Sequence, residues 1–107
     1  MIVSHNSLNG LSLCYLMQVE KIRVGLLSPA RALQLMLMKI LAISHDQLPG
    51  RDCHWQRSEM RAVLRELLWE LMDADPEIWA PDILAMVERQ RVQARRDHHH
   101  CMRGGAP

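Results

Sequence analysis

Phenylalanine is absent from this chain of 107 residues, and one tyrosine and three tryptophans bring the aromatic fraction to only 4%. That excludes a row of aromatic platforms for stacking single-stranded nucleic acid. The core must instead be built from leucine and eight methionines. Methionine fills irregular gaps and adaptable partner surfaces alike. Cysteine is scarce: Cys14, Cys53 and Cys101 are an odd, scattered set, a poor disulfide framework that fits reduced thiols in a cytoplasm better. Charge excess is missing too, the formal net charge being +1, so whole-molecule electrostatics select no partner class. No apolar run approaches the roughly 18 residues of a membrane span. The opening MIVSHNSLNGLSLCYLM puts no Lys or Arg ahead of its apolar run, which makes a weak signal peptide. In LSLC, Leu13 stands where a lipoprotein cleavage site wants a small residue. A Gly-rich phosphate loop, a nucleophile elbow and an HExxH pair are all lacking. The expectation is a non-enzymatic protein with no catalytic residues and no cofactor.

What is present is helical pattern. Ser28 is a good N-cap and Pro29 suits a first helical position, so a helix is predicted from about Pro29 to about Ser44, ending before the Leu48-Pro49-Gly50 turn. A second helix should begin between Asp52 and Ser58, both able to cap, and end near Asp73. Asp75-Pro76 marks a new start, with a short helical turn around Ile78 and Trp79. A last helix runs from about Pro81 to about Arg96. Residues 1–27 read as an N-terminal arm. Within it VEKIRV, residues 19–24, alternates weakly and is rich in β-branched residues, which favours a strand, whereas LSLCYLMQ suits a helical turn or two. A lone strand leaves backbone groups unpaired, so it would pair with its copy in a second subunit. The tail, residues 98–107, is His- and Gly-rich and expected to be mobile. The predicted fold is therefore mainly all-α. It is a small bundle of three main helices over residues 28–97, behind an arm with room for one short strand paired across a dimer.

Two helices carry more apolar surface than one core face needs. On a wheel of about 100° per residue, Met60, Val63, Leu64, Leu67, Leu68 and Leu71 form the core stripe of the second helix. Trp69 lands on its polar side, between an arginine flank (Arg57, Arg61, Arg65) and an acidic one (Glu59, Glu66, Glu70, Asp73). Either the arm or the last helix folds over Trp69, or it is an exposed aromatic anchor ringed by charge, as interface hot spots are. The second alternative makes Trp69, Met72, Arg61, Arg65, Glu66 and Asp73 the expected partner-binding set. In the first helix LQLMLMKILAI, residues 33–43, is apolar at nine of eleven positions. Leu33, Met36, Leu37, Ile40 and Ile43 serve the core, while Leu35 and Met38 are surplus. A homodimer contact at Leu35 and Met38, joined by Val19, Ile22 and Val24 of the strand, would cover them.

The remaining constellations are weaker. His98-His99-His100-Cys101 holds good ligands for zinc, nickel or copper, and His45, Cys53 and His54 lie near the inter-helix turn, but no spacing matches a zinc motif and no metal site is expected. Glu66 and Glu70, one turn apart, face away from the leucine stripe and make a solvated acidic face rather than a bundle metal site. Arg89, Arg91, Arg95 and Arg96 complement the dipole at a helix C-terminus, with a modest nucleic-acid footprint as the second reading. The functional expectation is a small cytoplasmic regulator, off the membrane. It would act by protein–protein binding, as an inhibitor or anti-activator that sequesters a transcriptional regulator or other protein. The alternatives are a DNA-associated regulator using the arginine-rich last helix, and an immunity protein or secretion chaperone.

Overall fold

The computed structural model describes residues 5–47 and 54–104. Over these the chain forms four α-helices, α1 (His5–Arg23), α2 (Pro29–Gln47), α3 (His54–Ala74) and α4 (Pro81–Gly104), with a 3-10 turn at Pro76–Ile78 between the last two. No strand occurs among the described residues. The all-α expectation holds, and the strand at residues 19–24 does not. Apolar side chains four apart decide it: Leu11, Tyr15 and Val19 lie on one helical face and are buried together. That tertiary periodicity outweighs the β-branched content of VEKIRV, since β-propensity is a weak, context-dependent preference.

The α1–α2 connection is built from two local signals. Gly25 sits at φ 78°, the left-handed conformation that glycine adopts without strain. Its N–H bonds the Ile22 carbonyl at 3.1 Å and the Leu26 N–H reaches back to Lys21 at 2.9 Å, the paired pattern of a Schellman C-terminus. Three residues on, the Ser28 hydroxyl accepts the Arg31 N–H at 3.2 Å and caps α2, as its sequence position predicts. Helix α3 begins at His54, which leaves Ser58 inside the helix rather than capping it. Helix α4 starts at Pro81 as expected but runs on to Gly104, eight residues past Arg96 and through the histidine run. The backbone of residues 98–104 is thus helical where a mobile tail was expected. The Leu48-Pro49-Gly50 turn, Asp52 and Cys53 lie outside the described residues.

Leu11, Tyr15 and Val19 of α1, Leu33, Met36 and Ile40 of α2, and Met60, Leu64, Leu68 and Met72 of α3 form one buried cluster, joined by Trp79 and by Ile83 and Val87 at the start of α4. The stripe of α2 is the predicted one, with Leu37 half-buried. That of α3 is rotated. Val63 is 42% exposed, whereas Trp69 and Met72 are buried. The cause is that α3 packs against both α1 and α2, while Arg91 of α4 closes over Trp69, so its buried arc is wider than a single stripe and shifted towards Trp69. One polar knot ties the layers. The Tyr15 hydroxyl donates to the Leu71 carbonyl at 2.9 Å, with Asp75 Oδ2 at 3.2 Å as a second acceptor, and accepts the Trp79 indole N–H at 3.3 Å. The two rings lie 6.2 Å apart between centroids, tilted by 33°. Burial, more than any neighbour, pushes the Tyr15 phenol up to about 12, and the Asp75 carboxylate adds to the rise against the Trp79 hydrogen bond.

Candidate partner-binding surfaces

The expected Trp69-centred interface is not on the surface. Trp69 is 4% exposed and Met72 fully buried, so both belong to the core. The chain's own last helix occupies the place reserved for a partner. The Arg91 guanidinium lies over the Trp69 ring, 5.6 Å from its centroid, and Arg91 Nη1 contacts Asp73 Oδ2 at 2.8 Å. Arg91 therefore acts as a clasp from α4 to α3, one contact a cation–π and the other an ion pair. The other four members of the expected set are split by this helix. Glu66 and Asp73 line a shallow hollow on one side with Glu70, Arg91 and Arg95. Arg61 and Arg65 face a different space on the other side.

That space is a groove of about 430 Å³ between α2, α3 and α4. Leu37, Ile40 and Leu41 form the α2 wall, Arg61, Arg65 and Trp69 the α3 wall, and Gln90, Gln93, Ala94 and Asp97 the α4 wall. It exists because α4 leaves the core after Val87: beyond that residue only Arg91 and Val92 are even half-buried up to Asp97. Asp97 accepts a hydrogen bond from Gln93 Nε2 at 2.9 Å. Arg61 and Arg65 are half-buried and have no carboxylate partner within 4 Å among the described residues, and Arg61 Nε is buried without an acceptor.

The expected dimer contact also divides. Val19 is buried and Ile22 half-buried against the chain's own core, because the segment is helical. Val24 is 58% exposed in the turn, Met38 is 55% exposed on α2, and Leu35 is half-buried. Residues that the sequence reading missed form the larger apolar face. Leu13 and Leu16 are each 62% exposed and Met17 57%, all on the side of α1 opposite Leu11, Tyr15 and Val19. Their signal was the spacing within LSLCYLM, legible only once that segment is taken as a helix.

Among the described residues no three His, Cys, Asp or Glu side chains converge as metal ligands. His54 and the His98-to-Cys101 run, named above as ligand candidates, lie outside the residues whose side chains are described, as does Cys53. No described helix is long and apolar enough to cross a membrane. Of the arginines assigned to a nucleic-acid footprint, Arg91 is held by Asp73 and Trp69, and Arg95 reaches Glu88 at 3.4 Å. No family model, curated protein or solved structure matches the chain.

Proposed function

We propose that the protein works by binding other proteins, as a small cytoplasmic regulator of the inhibitor or anti-activator type, and that it does so as a homodimer. The observation that carries this reading is the second apolar face of α1. A helix that already buries one side has no use in a monomer for Leu13, Leu16 and Met17 on the other, each more than half exposed. Their spacing of three and four residues is that of a helix-on-helix seam.

The α1 face is the better dimer contact than Leu35 and Met38, because Leu35 is half-covered within the subunit. That assignment leaves Met38 and Leu41, one helical turn apart on α2 and exposed at 55% and 50%, to meet a different protein. The DNA-associated alternative is weakened by the engagement of Arg91 and Arg95 with carboxylates. Sedimentation tests the reading. The wild type should sediment as a dimer at tens of micromolar, Leu16→Glu as a folded monomer, and Met38→Glu still as a dimer. A wild type that sediments as a monomer removes the homodimer. A monomeric Met38→Glu variant returns the contact to α2.

A further inference from the structure

We propose that the groove between α2, α3 and α4 receives the apolar face of an acidic amphipathic helix from a partner protein, with carboxylates of that helix seated on Arg61 and Arg65. The proposal rests on the protein-binding reading and supplies the chemistry of the partner.

Three observations converge. First, the groove is apolar on its α2 side and floor, from Leu37 and Leu41 to Trp69. The wall continues past Leu41 onto exposed Met38, three residues away on the same helix, so an occupant that enters the groove also covers the surplus apolar rim. Second, the charges at this wall are unbalanced. Arg91 and Arg95, further round α4, meet Asp73 and Glu88. Arg61 and Arg65 meet no carboxylate among the described residues, and Arg61 Nε is buried with no acceptor. A buried donor without a partner is uncommon in a native protein and points to an acceptor supplied from outside. The facing carboxylate, Asp97, already takes a hydrogen bond from Gln93 and leaves the groove with two guanidinium groups against one carboxylate. A cationic occupant would be repelled by the pair, and a neutral one would leave it desolvated and unmatched. A carboxylate matches the planar guanidinium fork in two parallel hydrogen bonds. Third, the groove is a cleft along helices and opens to solvent, and about 430 Å³ accommodates a row of side chains, not a whole helix. This is the geometry in which a helix lays apolar residues three and four apart into a hydrophobic groove.

The probe is a fluorescein-labelled model helix of about 15 residues, with leucines three and four apart on one face and glutamates flanking them. It is titrated by fluorescence anisotropy against the full chain at physiological salt. Its counterparts carry glutamine or lysine at the glutamate positions, and dodecanoate is the small-molecule competitor. The glutamate peptide should bind about tenfold or more tightly than the glutamine one, and the lysine peptide should not bind. The preference for glutamate should vanish in the Arg61→Gln/Arg65→Gln variant with its melting temperature unchanged. Leu41→Glu should abolish binding of both glutamate and glutamine peptides. Equal binding of these two peptides to the wild type overturns the carboxylate assignment. No binding by any peptide overturns the groove as a docking site, and sedimentation of the same samples reports the α1 contact independently. Dodecanoate binding that depends on Arg61 and Arg65 and excludes the peptide would make this a small-amphiphile site and overturn the partner helix.

Discussion

At the scale of single residues, two aromatic side chains hold the bundle together, and each makes a different prediction. Trp69 is buried between helices, with Arg91 across its face, so it contributes to stability before it contributes to any complex. Trp69→Ala should lower the unfolding free energy by about 3–5 kcal/mol, the range for deleting a large buried aromatic. Arg91→Ala should cost about 1 kcal/mol, since a half-buried cation–π contact and an ion pair to an exposed carboxylate are both modest. Urea unfolding of the two variants measures both, and a Trp69→Ala variant as stable as the wild type would place the side chain back on the surface. Tyr15 contributes through hydrogen bonds. In Tyr15→Phe the Leu71 carbonyl loses its donor and the Trp79 indole its acceptor, a loss of about 1–3 kcal/mol. Its phenol is raised from 10 to about 12 in the folded protein. The fold therefore favours the neutral form, and the unfolded chain ionises first as pH rises. The stabilisation is fully present below pH 10 and is lost between pH 10 and about 12. It amounts to about 2–3 kcal/mol across that window. The chain has one tyrosine, so phenolate absorbance assigns the titration without ambiguity. Tyr15→Phe should flatten that part of the stability profile.

At the scale of elements, the junction between α1 and α2 shows what was and was not legible. Ser28-Pro29 marks a helix start whatever surrounds it, because the cap is a bond between a side chain and the backbone three residues away. The end of α1 had an equally local signal in Gly25, yet VEKIRV just before it reads as a strand by composition. Its packing partners lie on α2 and α3, distant in sequence, so only tertiary packing settles the choice. Trp69 failed for the same reason. A wheel places it opposite one neighbouring helix, but α3 packs against α1 and α2 and is clasped by Arg91 of α4, and no pattern within α3 announces the others. Arg61 and Arg65, expected around an exposed Trp69, instead line a groove in which the buried Trp69 forms part of the same wall. Gly25 offers the direct test at this scale. A Cβ at this position meets nothing within 4 Å, so Gly25→Ala carries only the backbone cost of φ 78°. The expected destabilisation is about 1–2 kcal/mol, read by urea unfolding with an unchanged m-value. A neutral substitution would mean that the turn relaxes to negative φ and that the Schellman bonds contribute little.

At the scale of the whole molecule, the outer face of α1 is the argument for a second subunit. The radius of gyration, 15.1 Å against about 13 Å for a compact chain of this length, reflects the part of α4 that runs off the core after Val87. Leu13, Leu16 and Met17 lie exposed on the outer side of α1, and pairing two copies through α1 would turn them inward. A dimer formed this way has a consequence that a monomer lacks. Its melting temperature must rise with protein concentration, because dissociation accompanies unfolding and mass action opposes it. Leu16→Glu removes that dependence by burying an unpaired carboxylate at the contact, and its melting temperature should equal the dilute limit of the wild type. Because the contact is apolar, raising salt from low to molar concentration should leave the dimer intact, whereas association through the arginines of α4 would weaken steeply. A melting temperature that is flat across a hundredfold range of concentration would leave the α1 face unpaired by a second copy and overturn the homodimer.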